Sequence, residues 1–223
     1  MQHYGFIING NIVLTSKRYN VKNKSTHQVF ATVSLSFEND IEKAIESASK
    51  AFEITKRLPS YRRKEILSRI SSEISKQREE LAQLISIETG KPIKLSRIEI
   101  DRAINTFQIA AEEVDRISGE VLNLDITAQS ENRLGITKRF PIGPVLAITP
   151  FNFPVNLAAH KLAPAIAAGN TIIFKPATSA MLTGSKLAMI INEASQIPGL
   201  INSINCSGSM IEKFLSDEKI KKN

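Results

Sequence analysis

Two patterns of apolar residues divide the chain near Arg133. Before this point, apolar residues recur at every third or fourth position, a pattern typical of amphipathic helices. After it, short apolar runs alternate with further helical patterns and are separated by Gly and Pro. The sequence therefore predicts a helix-rich N-terminal part followed by an α/β part with a parallel sheet.

The N-terminal part is expected to begin with strands and to continue with four helices. Residues 4–14 and 28–35 resemble short strands, and Asn9-Gly10 is a strong hairpin-turn signal. Asn39 or Asp40 is available as the N-cap of the first helix. The apolar faces of the four helices are marked by Ile41 to Phe52, by Ile66, Ile70 and Ile74, by Leu81 to Glu88, and by Ile100 to Ile117. Gly90 is expected to end the third helix and Gly119 the fourth.

The α/β part alternates strands and helices with short connections. Residues 133–140 alternate apolar and charged side chains, which predicts an exposed or half-buried strand. Two buried strands at 145–149 and 171–174 and a third short strand at 201–206 follow, with helices at 154–168 and 180–195 and a last helix starting within 209–216. Such an order favours a parallel sheet whose strands are joined by helical crossovers.

Composition excludes several classes of protein. Apolar residues make up 42% and charged residues 23%, as in globular domains, and no apolar run approaches the roughly 20 residues of a membrane span. No secretory signal is recognisable, so a cytoplasmic location is expected. The single cysteine, Cys206, excludes an intrachain disulfide, and the three histidines lack metal-ligand spacing, so no metal site is expected.

The net charge of +7 has two interpretations. Basic residues interleave with acidic ones along most of the chain, and the clusters at 62–64 and 219–222 have no aromatic residues between them of the kind that stack on bases. A solvated surface is therefore favoured over nucleic-acid binding. A nucleotide cofactor would also benefit from a positive field.

Two strand ends carry candidate chemistry. Asn152 lies between prolines after the strand at 145–149, and Lys175 precedes Pro176 at the end of the strand at 171–174. In open parallel sheets, ligands bind beyond the carboxyl ends of the strands, where an amide could support an oxyanion and a lysine could bind a nucleotide. Two other roles remain open, since Asn152 could be a helix N-cap and Lys175 a solvated charge. No glycine-rich dinucleotide motif and no Ser/His/Asp arrangement is evident.

The run from Gly143 to Pro176, GPVLAITPFNFPVNLAAHKLAPAIAAGNTIIFKP, resembles the aldehyde dehydrogenase superfamily at every element of its motif. The upstream ETGKP at 88–92 and RFPIGP at 139–144 are similar to the same family. The resemblance implies a helical N-terminal region joined to a partial Rossmann-like parallel sheet of the cofactor domain, in truncated form. It divides the chain into strands and helices of the cofactor domain (1–132), a strand resembling the oligomerisation arm (133–142) and a partial nucleotide-binding region (143–223).

The resemblance also implies site residues for the oxidation of an aldehyde to a carboxylate with NAD or NADP. Asn152 matches the asparagine that supports the oxyanion, and Lys175 matches the lysine that binds the adenine ribose. Lys161 matches a lysine near the active site, although a surface role remains open. The cofactor cleft would be lined by Ile148, Thr149, Pro150, Phe151, Thr178 and Gly208.

Thr178 indicates a cofactor preference. Relatives that prefer NAD often carry Glu at this position, where it repels the 2′-phosphate of NADP by like charge. The neutral Thr178 lacks this repulsion and leaves Lys175 available to the phosphate. We therefore expect NADP to be tolerated or preferred.

Three departures from the family pattern limit what this chain is expected to do alone. The family's catalytic cysteine, its glutamate base and its catalytic domain are absent, because they would follow Asn223. Cys206 is not expected to be the nucleophile, since it falls on a predicted strand. Of the family's Gly-x-Gly turn only Gly208 remains, with Met210 in place of the second glycine. We expect the chain to be inactive by itself and to form homo-oligomers or to associate with a complementary C-terminal chain. The alternative is a non-catalytic structural or regulatory relative that dimerises.

Overall fold

The computed structural model of the chain describes residues 2–220. Five short strands come first: β1 (Gln2–Tyr4), β2 (Phe6–Ile8), β3 (Asn11–Val13), β4 (Arg18–Lys22) and β5 (Val29–Ser34). β2 and β3 form the predicted antiparallel hairpin. Asn9 and Gly10 both have positive φ, of 50° and 79°, as the favoured two-residue hairpin turn requires.

β4 has no counterpart in the sequence prediction. It forms the edge of the sheet β1-β5-β4, in which β5 pairs in parallel with β1 and antiparallel with β4. Only Val21 of this strand is fully buried, and three of its five residues are exposed. An edge strand made mostly of polar residues shows little alternation of apolar and polar positions. The sequence pattern therefore did not predict β4.

Four helices follow, with the apolar faces expected from the sequence: α1 (Glu38–Thr55), α2 (Ser60–Lys76), α3 (Arg78–Thr89) and α4 (Ile93–Glu113). Gly90 ends α3 with a left-handed φ of 75°, as expected. The fourth helix was expected to run to Gly119. It ends instead at Glu113, because the chain tightens into a 3₁₀ turn at Val114–Arg116.

The N-cap of α1 differs from the prediction. Neither Asn39 nor Asp40 occupies the cap, which is Phe37. Asp40 lies in the first turn, and its carboxylate accepts a hydrogen bond from the Phe37 N–H at 2.9 Å. A carboxylate in the first turn satisfies a free N–H and interacts favourably with the helix dipole, so the acidic residue acts from inside the helix.

The strand expected over 133–140 is much shorter. Only β7 (Gly135–Ile136) forms, paired antiparallel with β6 (Val121–Leu122). The side chains of Val121, Leu134, Ile136 and Phe140 are all largely exposed, with exposed fractions between 66% and 74%. Since no described part of the chain covers these apolar side chains, little packing energy supports a longer strand here.

The parallel sheet predicted for the last third is confirmed. Its elements are β8 (Val145–Ile148), α5 (Asn156–Ala167), β9 (Ile172–Lys175), α6 (Met181–Ser195), β10 (Ile201–Ser203) and α7 (Gly208–Glu212). The order is β10-β9-β8, with both pairs parallel.

The third strand of this sheet was expected to reach Cys206 but ends at Ser203. Cys206 therefore lies in the loop before α7. The chain leaves the sheet because Asn205 bonds to another segment: its N–H donates to Ser36 Oγ at 2.9 Å and its side-chain amide donates to the Ser34 carbonyl.

The sheet separates two apolar clusters. Ile172 and Phe174 point to a large core with α2 to α6, whereas Ile173 points to a second core that contains α1 and β2. Alternate residues of one strand thus serve opposite faces. The helical part and the α/β part pack into the same cores. The domain boundaries predicted at residues 133 and 143 therefore remain a prediction. No helix within residues 2–220 has the length and apolarity to cross a bilayer. Lys221 and Lys222 of the predicted basic tail lie outside the described residues.

Candidate functional site

The two candidate turns follow neighbouring parallel strands. Ile148, the last residue of β8, pairs with Lys175, the last residue of β9. The Thr149 N–H then donates to the Lys175 carbonyl at 3.2 Å. The turn that holds Asn152 and the turn that follows Lys175 therefore leave the same edge of the sheet side by side, as the sequence predicts.

Asn152 is not a helix N-cap. α5 begins four residues later, at Asn156, and its N-cap position is occupied by Val155. The Asn152 side chain is exposed, and its amide makes no hydrogen bond with any residue in the described range. An exposed amide with free donors at a strand end can bind a negatively charged oxygen of a ligand.

Lys175 is not a solvated surface charge either. Its side chain is only 5% exposed, and Nζ donates to the Pro176 carbonyl at 3.0 Å. Burial lowers the pKa of Lys175, and the nearby Cys206 opposes this change. Burial likewise raises the pKa of the Cys206 thiol, with Lys175 acting in the opposite direction. The ammonium retains two donors that no described residue uses.

The other predicted site residues surround this edge, with one exception. Ile148, Pro150 and Phe151 are exposed at the tip of β8, and Thr178 is exposed in the turn after β9. Gly208 begins α7 after β10, and a Cβ added there would meet no heavy atom within 4 Å. Thr149 is buried, and its hydroxyl has no partner among the described residues. Lys161 lies apart from the turns, half-exposed on the body of α5.

These residues fit an anionic nucleotide. Lys175 offers unused donors, Thr178 adds no negative charge, and Gly208 leaves room for close approach. The strand tips of β8, β9 and β10 lie at one edge of a parallel sheet, where nucleotides commonly bind.

Two buried glutamates support the helices behind the turns, and the sequence patterns did not identify this role. Neither α5 nor α6 has a side-chain cap of its own. Glu99 of α4 accepts the N–H groups of Val155 at 2.9 Å and Asn156 at 3.2 Å, at the start of α5. Its side chain is completely buried.

Glu88 of α3 plays the same part for α6. Its carboxylate accepts the Leu182 N–H at 3.0 Å and both the N–H and the hydroxyl of Thr183 at 2.6 Å. Burial raises the pKa of Glu88 to about 7, although the Thr183 and Leu182 hydrogen bonds and the charge of Lys24 pull it down. An acidic residue on the apolar face of a predicted helix is the signal that could have identified both glutamates.

Comparison with known proteins finds the same family over nearly the whole chain. A family profile described as the aldehyde dehydrogenase family matches residues 13–222. A 3-sulfolactaldehyde dehydrogenase of Priestia aryabhattai is 38% identical over 219 residues, which are 98% of this chain and 46% of that protein. The chain thus spans less than half the length of this relative.

Solved structures agree. Aldehyde dehydrogenase 21 from Physcomitrella patens, in complex with the reaction product succinate, has a TM-score of 0.94 at 39% identity over 99% of this chain and 46% of that chain. The NADP-dependent glyceraldehyde-3-phosphate dehydrogenase from Bacillus halodurans C-125, complexed with NADP, has a TM-score of 0.94 at 31% identity, over 99% of this chain and 47% of that chain. The fold is therefore that of the N-terminal half of such proteins.

Proposed function

Because the chain belongs to the aldehyde dehydrogenase family, we propose that it forms the N-terminal half of an NAD(P)-dependent enzyme that oxidises an aldehyde to a carboxylate. The observation that carries this proposal is the pairing of Ile148 with Lys175, which sets the Asn152 turn beside the end of β9. The oxyanion donor and the nucleotide-binding cation that we propose would then lie at the same edge of the sheet.

Each residue has a proposed task. The Asn152 amide donates a hydrogen bond to the oxygen that gains negative charge when a nucleophile attacks the aldehyde. Lys175 binds the ribose or phosphate of the nucleotide, and Ile148 to Phe151 line the cleft. NAD(P) held by Lys175 and this cleft would supply the hydride acceptor for the oxidation. The nucleophile and the base belong to the catalytic half of the enzyme, so this chain is inactive by itself.

The substrate is proposed to be a small aliphatic aldehyde. Relatives of this chain are named for 3-sulfolactaldehyde, for glyceraldehyde 3-phosphate and for lactaldehyde, and one holds succinate as product. Some of these compounds are negatively charged, whereas lactaldehyde is not. Charged and uncharged aldehydes of these kinds are therefore the first substrates to assay with the complete enzyme.

The proposed cofactor site is tested by titrating this chain with NADPH and following the fluorescence of the nicotinamide. We expect saturable binding in the wild type and a Kd about tenfold or more higher in Lys175→Met. The reason is that a hydrogen-bonded charge contributes roughly 1.5 to 3 kcal/mol. Methionine fills the buried space of the lysine stem, so the loss reports on the charge.

Lys186→Met is the matched control for this titration. Lys186 lies on α6, and its Nζ pairs with Glu80 at 3.0 Å on the surface. Its removal should leave the Kd for NADPH unchanged. If the wild-type chain fails to bind NADPH up to millimolar concentration, the non-catalytic structural alternative is favoured instead.

Thr178 should decide between the two nucleotides. In the wild type we expect NADPH to bind at least as well as NADH, because no carboxylate repels the 2′-phosphate. In Thr178→Glu, the Kd for NADPH should rise about tenfold while that for NADH changes little, since like charges repel only the phosphate. Wild-type binding of NADH tenfold tighter than of NADPH would contradict the assignment.

Association with another chain is part of the proposal. The β6–β7 hairpin and the segment after it expose large apolar side chains: Val121, Ile126, Leu134, Ile136 and Phe140. Exposed apolar surface of this kind supports either a homo-oligomer or a complementary C-terminal chain. Cytoplasmic location remains a prediction from the sequence.

A further inference from the structure

One lysine connects the helical layer to the turn that carries Asn152. Lys91 precedes α4, and its side chain is mostly buried. Its Nζ donates to the Asn152 carbonyl at 2.7 Å and lies over the Phe153 ring, 4.1 Å from the centroid. The ammonium thus touches both the residue proposed to bind the oxyanion and its neighbour.

Glu99 fixes the position of this lysine. One carboxylate oxygen of Glu99 accepts the Lys91 ammonium, and the other accepts the N–H groups of Val155 and Asn156. Because Glu99 is fully buried and bonded on both sides, it has little freedom to move. The turn is therefore held at two points. Lys91 holds its middle through the Asn152 carbonyl, and Glu99 holds its end through the start of α5.

We infer that Lys91 and Glu99 are positioning residues that hold the backbone of the Asn152 turn, and with it the place from which the Asn152 amide projects. The inference rests on the proposed oxyanion role of Asn152. An exposed turn with a free side chain would otherwise sample several orientations, whereas a donor must lie about 3 Å from the developing charge to be effective. Small misplacements of reacting groups cost large factors in rate, so holding the backbone of Asn152 has a catalytic consequence.

The first test uses this chain alone and measures the mobility of the turn. Backbone ¹⁵N relaxation of residues 151–153 should give order parameters of about 0.85, typical of a rigid backbone, in the wild type and values below about 0.6 in Lys91→Met. Lys91→Arg retains a cation and several donors, so it should remain close to the wild type. Lys94→Met, which removes an exposed lysine three residues away, at the start of α4, is the control and should change nothing. Unchanged order parameters in Lys91→Met would overturn the inference.

The second test uses the complete enzyme, in which this sequence is joined to the catalytic half. Lys91→Met should lower kcat about ten- to a hundredfold and leave the KM for NADP unchanged. In an Asn152→Ala background the same substitution should have little further effect, because residues that act through one another are not additive. An equal loss of kcat in both backgrounds would refute a role through Asn152.

The two tests separate the inference from the proposed function. If Lys91→Met loosens the turn but Asn152→Ala leaves kcat unchanged, the oxyanion assignment is wrong, and the pair has no catalytic consequence. If Asn152→Ala lowers kcat but the turn stays rigid in Lys91→Met, the positioning role is wrong and the proposed function stands. Lys91→Arg should recover most of the activity lost in Lys91→Met.

Discussion

The chain should be about 2 to 3 kcal/mol less stable at pH 8 than at pH 5 through the ionisation of Glu88 alone. Burial raises the pKa of this carboxyl to about 7 in the folded chain from its ordinary 4.5. The folded state therefore binds a proton more tightly than the unfolded state. The stabilisation is fully present below pH 4.5 and is lost as the pH rises through about 7.

The measurement is denaturation by urea at several pH values between 5 and 8. Glu88→Gln has nearly the same shape and no charge, so its free energy of unfolding should lack this component of the pH dependence. The control Glu80→Gln changes a half-exposed carboxylate on the same helix, which pairs with Lys186. It should keep the wild-type slope. Parallel pH profiles for the wild type and Glu88→Gln would show that Glu88 does not titrate in this range.

Ionisation of Glu88 also bears on the nucleotide side of the site. α6 begins a few residues after Lys175, and Glu88 accepts the N–H groups at its first turn. A protonated Glu88 carboxyl offers fewer acceptor sites to these N–H groups, whereas a charged Glu88 carboxylate is destabilised by its burial. The cap of α6 is thus held by a group whose charge state changes near neutral pH.

Much of the fold follows from local patterns in the sequence. The four-residue spacing of Ile66, Ile70 and Ile74 marks the buried face of α2, and all three side chains are fully buried or nearly so. Likewise, the apolar runs around Ala147 and Ile173 mark strands that are covered on both faces. Such elements are predictable because their own residues bury a large apolar area.

Elements that depend on distant partners are less predictable. β4 is held at a sheet edge by pairing with β5, and its polar sequence gives no local signal. β10 stops at Ser203 because Asn205 bonds to Ser34 and Ser36, which lie about 170 positions earlier in the chain. Local periodicity carries no information on such contacts.

The candidate site likewise contains residues that local patterns predict and contacts that they do not. Asn152 and Lys175 could be identified because their turns follow buried strands, and the parallel order places both at one edge. The contacts of Lys91 and Glu99 with the Asn152 turn could not be predicted, because the partners are backbone groups more than fifty positions away. The charge of Glu99 on a largely apolar helix face was the only local indication.

The largest effect on activity should come from Asn152. In the complete enzyme, Asn152→Ala should lower kcat by about 10² to 10³, because one lost oxyanion donor costs roughly 2.7 to 4 kcal/mol in the transition state of comparable reactions. The Asn152 side chain is exposed and bonds to no described residue, so its removal should not disturb the fold. The Kd for NADPH should stay the same, since Lys175 lies on the neighbouring strand.

Asn152→Asp makes this prediction more specific. Aspartate has the same size but accepts hydrogen bonds only and carries a negative charge, so it should be at least as inactive as the alanine variant. Asn39→Ala, at an exposed position on α1, is the control and should retain full kcat. An Asn152→Asp enzyme with near-normal kcat would mean that no donor is needed at this turn. The sheet edge would then serve nucleotide binding only, and the oxyanion would have to be stabilised entirely by the catalytic half.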